Sequence, residues 1–198
     1  MSAAFLAGVV AGYGVAVPVG AIAVLIAGLS ARTSLRVGAA AGLGAATADG
    51  IYALLAVLGG AALAGLIAPI AEPLRWAAAV VLLGLAAHTA ITAIRRRTGT
   101  RPPRERPVTA RAAYTGILGL TLLNPATVVY FAALVLGHGG SGGGPWFVAG
   151  AFLASASWQL FIAGGGSLVG RVLTGERGRL VTALISSAVI TILAVRLL

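Results

Sequence analysis

Cysteine and lysine are both missing from this chain, and only four acidic residues and two histidines occur among its 198 positions. Without cysteine there is no disulfide, no thiolate nucleophile and no cysteine metal site. Without lysine there is no Schiff-base chemistry. One aspartate and two distant histidines do not form the nucleophile, base or metal cluster that a membrane hydrolase needs, so no enzyme activity, no metal and no cofactor is expected. Charge itself is scarce. Charged residues make up 9% of the chain, against about 25% in a soluble domain. No arginine precedes Arg32, so the first apolar run lacks the basic start of a cleaved signal peptide.

What remains is hydrophobic. Uncharged runs cover Met1–Ala31, Val37–Ala71, Trp76–Ile94, Ala112–Gly170 and Leu180–Val195, and most exceed the ~18 residues that mark a membrane-spanning helix. The pattern predicts an all-α integral membrane protein with one transmembrane domain over residues 1–198. Six spans are expected: Ala3–Leu29, Val37–Gly60, Leu74–Ile94, Ala112–Leu136, Trp146–Leu168 and Leu180–Leu198. The net charge of +10 is carried by arginines in the short connections. That is the distribution of cytoplasmic loops, not of a nucleic-acid surface. The loops Ser30–Arg36, Arg95–Arg111 and Val169–Arg179 hold two, seven and three arginines, so they are expected inside and both termini outside. The proline-rich 95–111 segment divides the chain into halves 1–94 and 112–198. With three spans in each, the halves must lie in opposite orientations, which is the inverted-repeat plan of many transporters.

Asp49 is the sole aspartate, and it falls inside the second span. A helix from Val37 carries it about 18 Å in, near the middle of a ~30 Å hydrocarbon layer. A carboxyl there costs a few kcal/mol on insertion scales and marks a functional position. Pro18 and Pro125 lie near the middles of the first and fourth spans. Each removes a backbone donor and bends or breaks its helix. Asn124 is suited to cap a helix restarting with Pro125 at its first position, and Gly14 and Gly20 flank Pro18.

These residues carry a resemblance. Val17-Pro18-Val19-Gly20, Arg32–Arg36, Gly38–Gly44, Ala48-Asp49-Gly50, Leu122-Leu123-Asn124-Pro125 and Tyr130-Phe131 resemble the lysine-exporter (LysE/RhtB-type) amino-acid efflux family over essentially the whole chain. Val19 and Gly20 stand where that family carries the glycine and second proline of Pro-Gly-Pro. The resemblance implies export of amino acids or similar small metabolites across a bacterial inner membrane, driven by the proton gradient or the membrane potential. A non-transporting membrane scaffold is the competing reading. It would have no use for Asp49 or for the Asn124-Pro125 break.

An amino acid offers a carboxylate and an ammonium. Helix starts at the two proline breaks suit the carboxylate. Asp49 suits the ammonium or a coupled proton, and Thr47 and Tyr52 add hydroxyls nearby. In the fifth span Ser155, Ser157 and Gln159 surround Ala156, which follows Asp49 by the same 107 positions that separate Pro125 from Pro18. The expected substrate or ion site is therefore Pro18, Gly20, Asp49, Tyr52, Asn124, Pro125, Ser157 and Gln159. Expected partners are the small-molecule substrate, the lipid bilayer and a second copy of the chain in a homodimer, but not nucleic acid. Gly8/Gly12, Gly38/Gly42 and Gly166/Gly170 are small-xxx-small pairs suited to close helix contact within the chain or in that dimer. His88 reads as a packing or interfacial residue. His138, Glu105 and Glu176 read as solvated.

Overall fold

The computed structural model describes residues 2–18, 20–67, 71–97, 107–124, 127, 130, 144–172 and 176–197. Among them every regular element is an α-helix: α1 (Ser2–Ala16), α2 (Ala21–Arg32), α3 (Leu35–Ile67), α4 (Ala71–Arg97), α5 (Ala110–Leu122), α6 (Gly144–Val172) and α7 (Glu176–Leu197). A helix satisfies its own backbone groups, which is what an apolar segment requires in lipid.

The first apolar run is not one kinked rod. α1 and α2 meet at 78° across residues 17–20. Pro18 has no N–H to give and disfavours helical backbone at Val17. Gly20, extended at φ −109° and ψ −174°, starts the second helix without a side-chain cap. Together α1 and α2 supply the length of one broken span. Among the described residues, Leu35–Gly59 and Gly144–Gly170 are each long and apolar enough to cross a membrane unbroken.

Element ends depart from the expected boundaries in a consistent direction: the helices run longer. α3 continues to Ile67 and α4 begins at Ala71, so most of the expected connection 61–73 is helical. Pro73 is tolerated because it falls in the first turn of α4, where N–H groups have no partner anyway. α6 runs to Val172 and α7 starts at Glu176, which places Arg171, Arg177 and Arg179 on helix ends. Gly144 begins α6 at φ +60°, a left-handed conformation that glycine adopts without strain. The rest of the glycine-rich segment lies outside the described residues, as do most of the arginine-rich linker and His138.

Packing rests on small residues. α1 lies along α6, α5 along α3, α3 along α6, and α4 along α7, with α2 reaching α3, α6 and α7. A methyl group on Gly8 or Gly12 would run into the backbone of Phe147 or Ala151 on α6, and one on Gly166 or Gly170 into the backbone of Ala27 or Ala31 on α2. The glycine pairs are thus used inside the chain. Alanines dominate the buried set, among them Ala11, Ala41, Ala45 and Ala163. Hydrogen bonds pin the contacts: Ser30 Oγ donates to the Ala163 carbonyl at 2.7 Å, and Tyr114 donates to Thr47 Oγ1 at 3.0 Å. Large apolar side chains such as Leu6, Val10, Leu58 and Phe161 point outward, as lipid-facing residues do.

Candidate functional site

Where the bend between α1 and α2 meets the end of α5 and the middles of α3 and α6, the chain encloses a cavity of about 330 Å³. Pro18, Gly20, Asp49, Asn124 and Gln159 all line it. These five come from residues 18 to 159, so the fold gathers most of the expected site into one place. Thr121, Thr127 and Tyr130 add hydroxyls, and Ala45, Leu82 and Leu120 add apolar wall. Among the described residues Asp49 is the only charged one on the lining.

Asp49 lies about 21 Å from the start of α3 at helical rise and is only 2% exposed. Its Oδ2 accepts a 2.6 Å hydrogen bond from Ser155 on α6. Its Oδ1 is buried and has no partner. Gln159, one turn beyond Ser155, is 6% exposed, and its Oε1 is likewise buried and unpartnered. A buried acceptor without a donor costs about 1–3 kcal/mol. Both residues line the cavity, and a donor placed against these oxygens would relieve that cost.

The start of α2 contributes the opposite polarity. Helix geometry leaves the N–H groups of Ala21, Ile22 and Ala23 without intrahelical acceptors, and Gly20 has no side chain to cap them. All three residues line the cavity. A helix start directed at a cavity favours negative charge.

The end of α5 is held differently. The Tyr52 hydroxyl donates to the Leu122 carbonyl, one of the acceptors the helix end leaves over. The Asn124 N–H bonds the Thr121 carbonyl at 3.0 Å, and Asn124 Nδ2 bonds Thr127 Oγ1 at 3.3 Å. The break expected in the fourth span is therefore present, with α5 ending at Leu122 and Asn124 outside regular helix. Pro125 and the start of any following helix lie outside the described residues.

Two expected site residues do not reach the cavity. Tyr52 follows Asp49 by three residues, which leaves it about 60° away around a helix of 3.6 residues per turn. That rotation turns it toward α5. Ser157 is exposed. It donates to the Ala154 carbonyl at 2.8 Å, and the Tyr13 hydroxyl, 2.8 Å away, donates to it. Ser155, which grips Asp49, was visible in the polar cluster of the fifth span. Its i, i+4 spacing from Gln159 puts those two on one face and Ser157 on the other. Thr121 and Thr127 are signalled only by being polar residues close to Asn124 in an apolar run, and Tyr130 stands among the motifs of the family resemblance without a role assigned to it.

A larger recess, about 430 Å³, opens between α2, α6 and α7. Its lining includes Val24, Phe161, Ile185 and Val189, and among the described residues it holds no hydrogen-bonding side chain. Hydrogen-bonding side chains line the Asp49 cavity instead.

No curated protein and no solved structure matches the chain. The description LysE type translocator matches residues 14–198, a stretch that contains every described residue of the cavity. The broken first span, the buried carboxyl and the multi-pass helical build thus belong to a member of the LysE type translocator family, membrane transporters of amino acids or related compounds.

Proposed function

We propose that this chain is a secondary active exporter of amino acids or related small metabolites, driven by the proton gradient or the membrane potential across an inner membrane. The observation that carries the reading is the Asp49 cavity. A membrane protein gains nothing in stability from a buried carboxyl with an unpartnered oxygen, on a cavity that two helix breaks also line. Such a group is useful where a substrate or a proton is to be taken up and released. Six spans in two inverted repeats suit the packing. Exchanging first for fourth, second for fifth and third for sixth span turns the α1–α6 contact into α5–α3, and leaves α3–α6 and α4–α7 as they are. In the same exchange Asp49 and Ser155, 106 positions apart and in direct contact, stand close to the symmetry axis. The arginine-rich connections face the cytoplasm in this reading, and both termini face out.

Purified protein in liposomes, loaded with a panel of labelled amino acids and given an imposed pH gradient or potential, tests the function. Gradient-dependent loss of at least one amino acid, absent from empty liposomes, is expected. Release of none under any gradient would overturn the export reading. Orientation is tested on the cysteine-free background by Gly99→Cys and Ser141→Cys. An impermeant thiol reagent applied to intact cells is expected to label the second variant and not the first.

A further inference from the structure

The cavity's polar groups fall into two sets of opposite demand. Asp49 Oδ1 and Gln159 Oε1 are buried acceptors without a partner among the described residues. An ammonium group presents several donors and a positive charge, and so answers both acceptors and the carboxylate charge together. The bare start of α2 presents donors and a partial positive charge instead, which a carboxylate answers. A molecule that carries both groups on one carbon fits a cavity in which both sets line one small volume. Beyond them the wall is apolar at Ala45, Leu82 and Leu120 and carries the neutral polar groups of Thr121, Asn124, Thr127 and Tyr130. Among the described residues the lining offers no second carboxylate to take a side-chain ammonium, and no arginine or histidine to take a side-chain carboxylate.

We propose that this cavity selects an α-amino acid with an uncharged side chain, its carboxylate on the N–H groups of Ala21–Ala23 and its ammonium between Asp49 Oδ1 and Gln159 Oε1. Gln159 is then a specificity-determining residue. The assignment rests on the export reading and narrows it to a substrate class and a binding polarity.

Four ligands of matched chain length separate the contributions: L-norleucine, L-lysine, hexanoate and n-pentylamine. They differ in an added side-chain ammonium, a lost α-ammonium and a lost α-carboxylate. Binding of each is measured calorimetrically to the purified full-length protein in lipid nanodiscs. Hydrogen bonds to charged groups predict that hexanoate, pentylamine and lysine each bind at least about tenfold more weakly than norleucine. Gln159→Leu is expected to bring norleucine down toward hexanoate. Gln159→Glu keeps the shape, adds negative charge beside the α-ammonium and is expected to raise the ratio of n-pentylamine to hexanoate affinity about tenfold above wild type. The pair keeps the test decisive if one variant fails to fold. Equal binding of norleucine and hexanoate by the wild type, lysine binding as tightly as norleucine, or unchanged affinity ratios among the ligands in the folded Gln159 variants would each overturn the proposal. So would binding of none of the four. Liposome export run alongside separates the two readings. Export of some other amino acid without norleucine binding removes the proposed clamp and leaves the exporter. Norleucine binding in the predicted order without export of any amino acid leaves the clamp and removes the exporter.

Discussion

The two helix breaks in this molecule are finished in opposite ways. At the first, α2 starts from Gly20 with no side-chain cap, and its first turn faces the cavity. At the second, the end of α5 is closed by the Tyr52 hydroxyl on Leu122 and by the backbone of Asn124 on Thr121. Tyr52 and Gln159 are 107 positions apart, the same separation as Pro18 and Pro125. On the inverted-repeat reading they are counterparts. One satisfies a helix end, and the other keeps an acceptor without a partner on the cavity wall. On that reading a repeated three-span unit supplies two similar breaks, and in the proposed clamp single side chains leave the uncapped one for the ligand.

The comparison breaks most severely if the clamp between α1 and α6 is lost, because α6 carries Ser155 and Gln159. Gly12→Leu puts a branched side chain into the backbone of Ala151. Overpacking of a tight interface costs about 1–3 kcal/mol or more, so folded protein recovered by size exclusion is expected to fall sharply. Wild-type recovery would mean that α1 does not lie against α6.

Tyr52→Phe sharpens the contrast. It leaves the Leu122 carbonyl without its donor, at about 1–3 kcal/mol, and is expected to lower the thermal midpoint measurably. Gln159→Leu removes an oxygen that bonds nothing, so its midpoint is expected to stay near or above wild type while norleucine affinity drops. Equal loss of stability in both variants would erase the distinction between the two breaks.

Asn124→Asp probes the second break by charge. It adds a second carboxyl to a cavity whose lining already carries Asp49. Affinity for zwitterions is expected to fall several-fold, with n-pentylamine bound better than by wild type. An unchanged ratio of norleucine to pentylamine affinity would place Asn124 away from the bound ligand.

The smallest effect is expected at Ser157. Ser157→Ala removes an exposed contact with Tyr13 and is expected to change stability by less than about 1 kcal/mol, with export rate near wild type. A large loss of export would return Ser157 to the site.

Much of this was legible in the sequence, and the reasons differ by residue. Long uncharged runs leave helix as the available structure in lipid, and a lone carboxyl in such a run signals function. Pro18 announced a break, but not its 78° angle or the start of α2 at Ala21, because those depend on what packs around the bend. Helical extension beyond the expected ends was hidden, since charged residues stop an apolar run without stopping a helix. Rotation around the axis decided the rest. Ser155 and Gln159 share a face by spacing alone, and Ser157 could have been set aside on the same count. Tyr52 could not, since a 60° offset serves either the cavity or α5 until the neighbouring helix is in place. The meeting of Asp49 with Ser155 across 106 positions followed from the repeat only approximately, because the proline offset points to Ala156.

Everything above turns on Asp49 being the group that meets the substrate or its coupled proton. The most direct measurement is initial export rate from liposomes containing equal amounts of wild-type and Asp49→Asn protein, with folded state verified by size exclusion and thermal midpoint. Asparagine keeps the size and the hydrogen bonding to Ser155 while removing the ionisable group. The expected result is a folded variant of near-normal stability whose export falls to the rate of empty liposomes. A folded Asp49→Asn protein that exports at the wild-type rate would contradict the account.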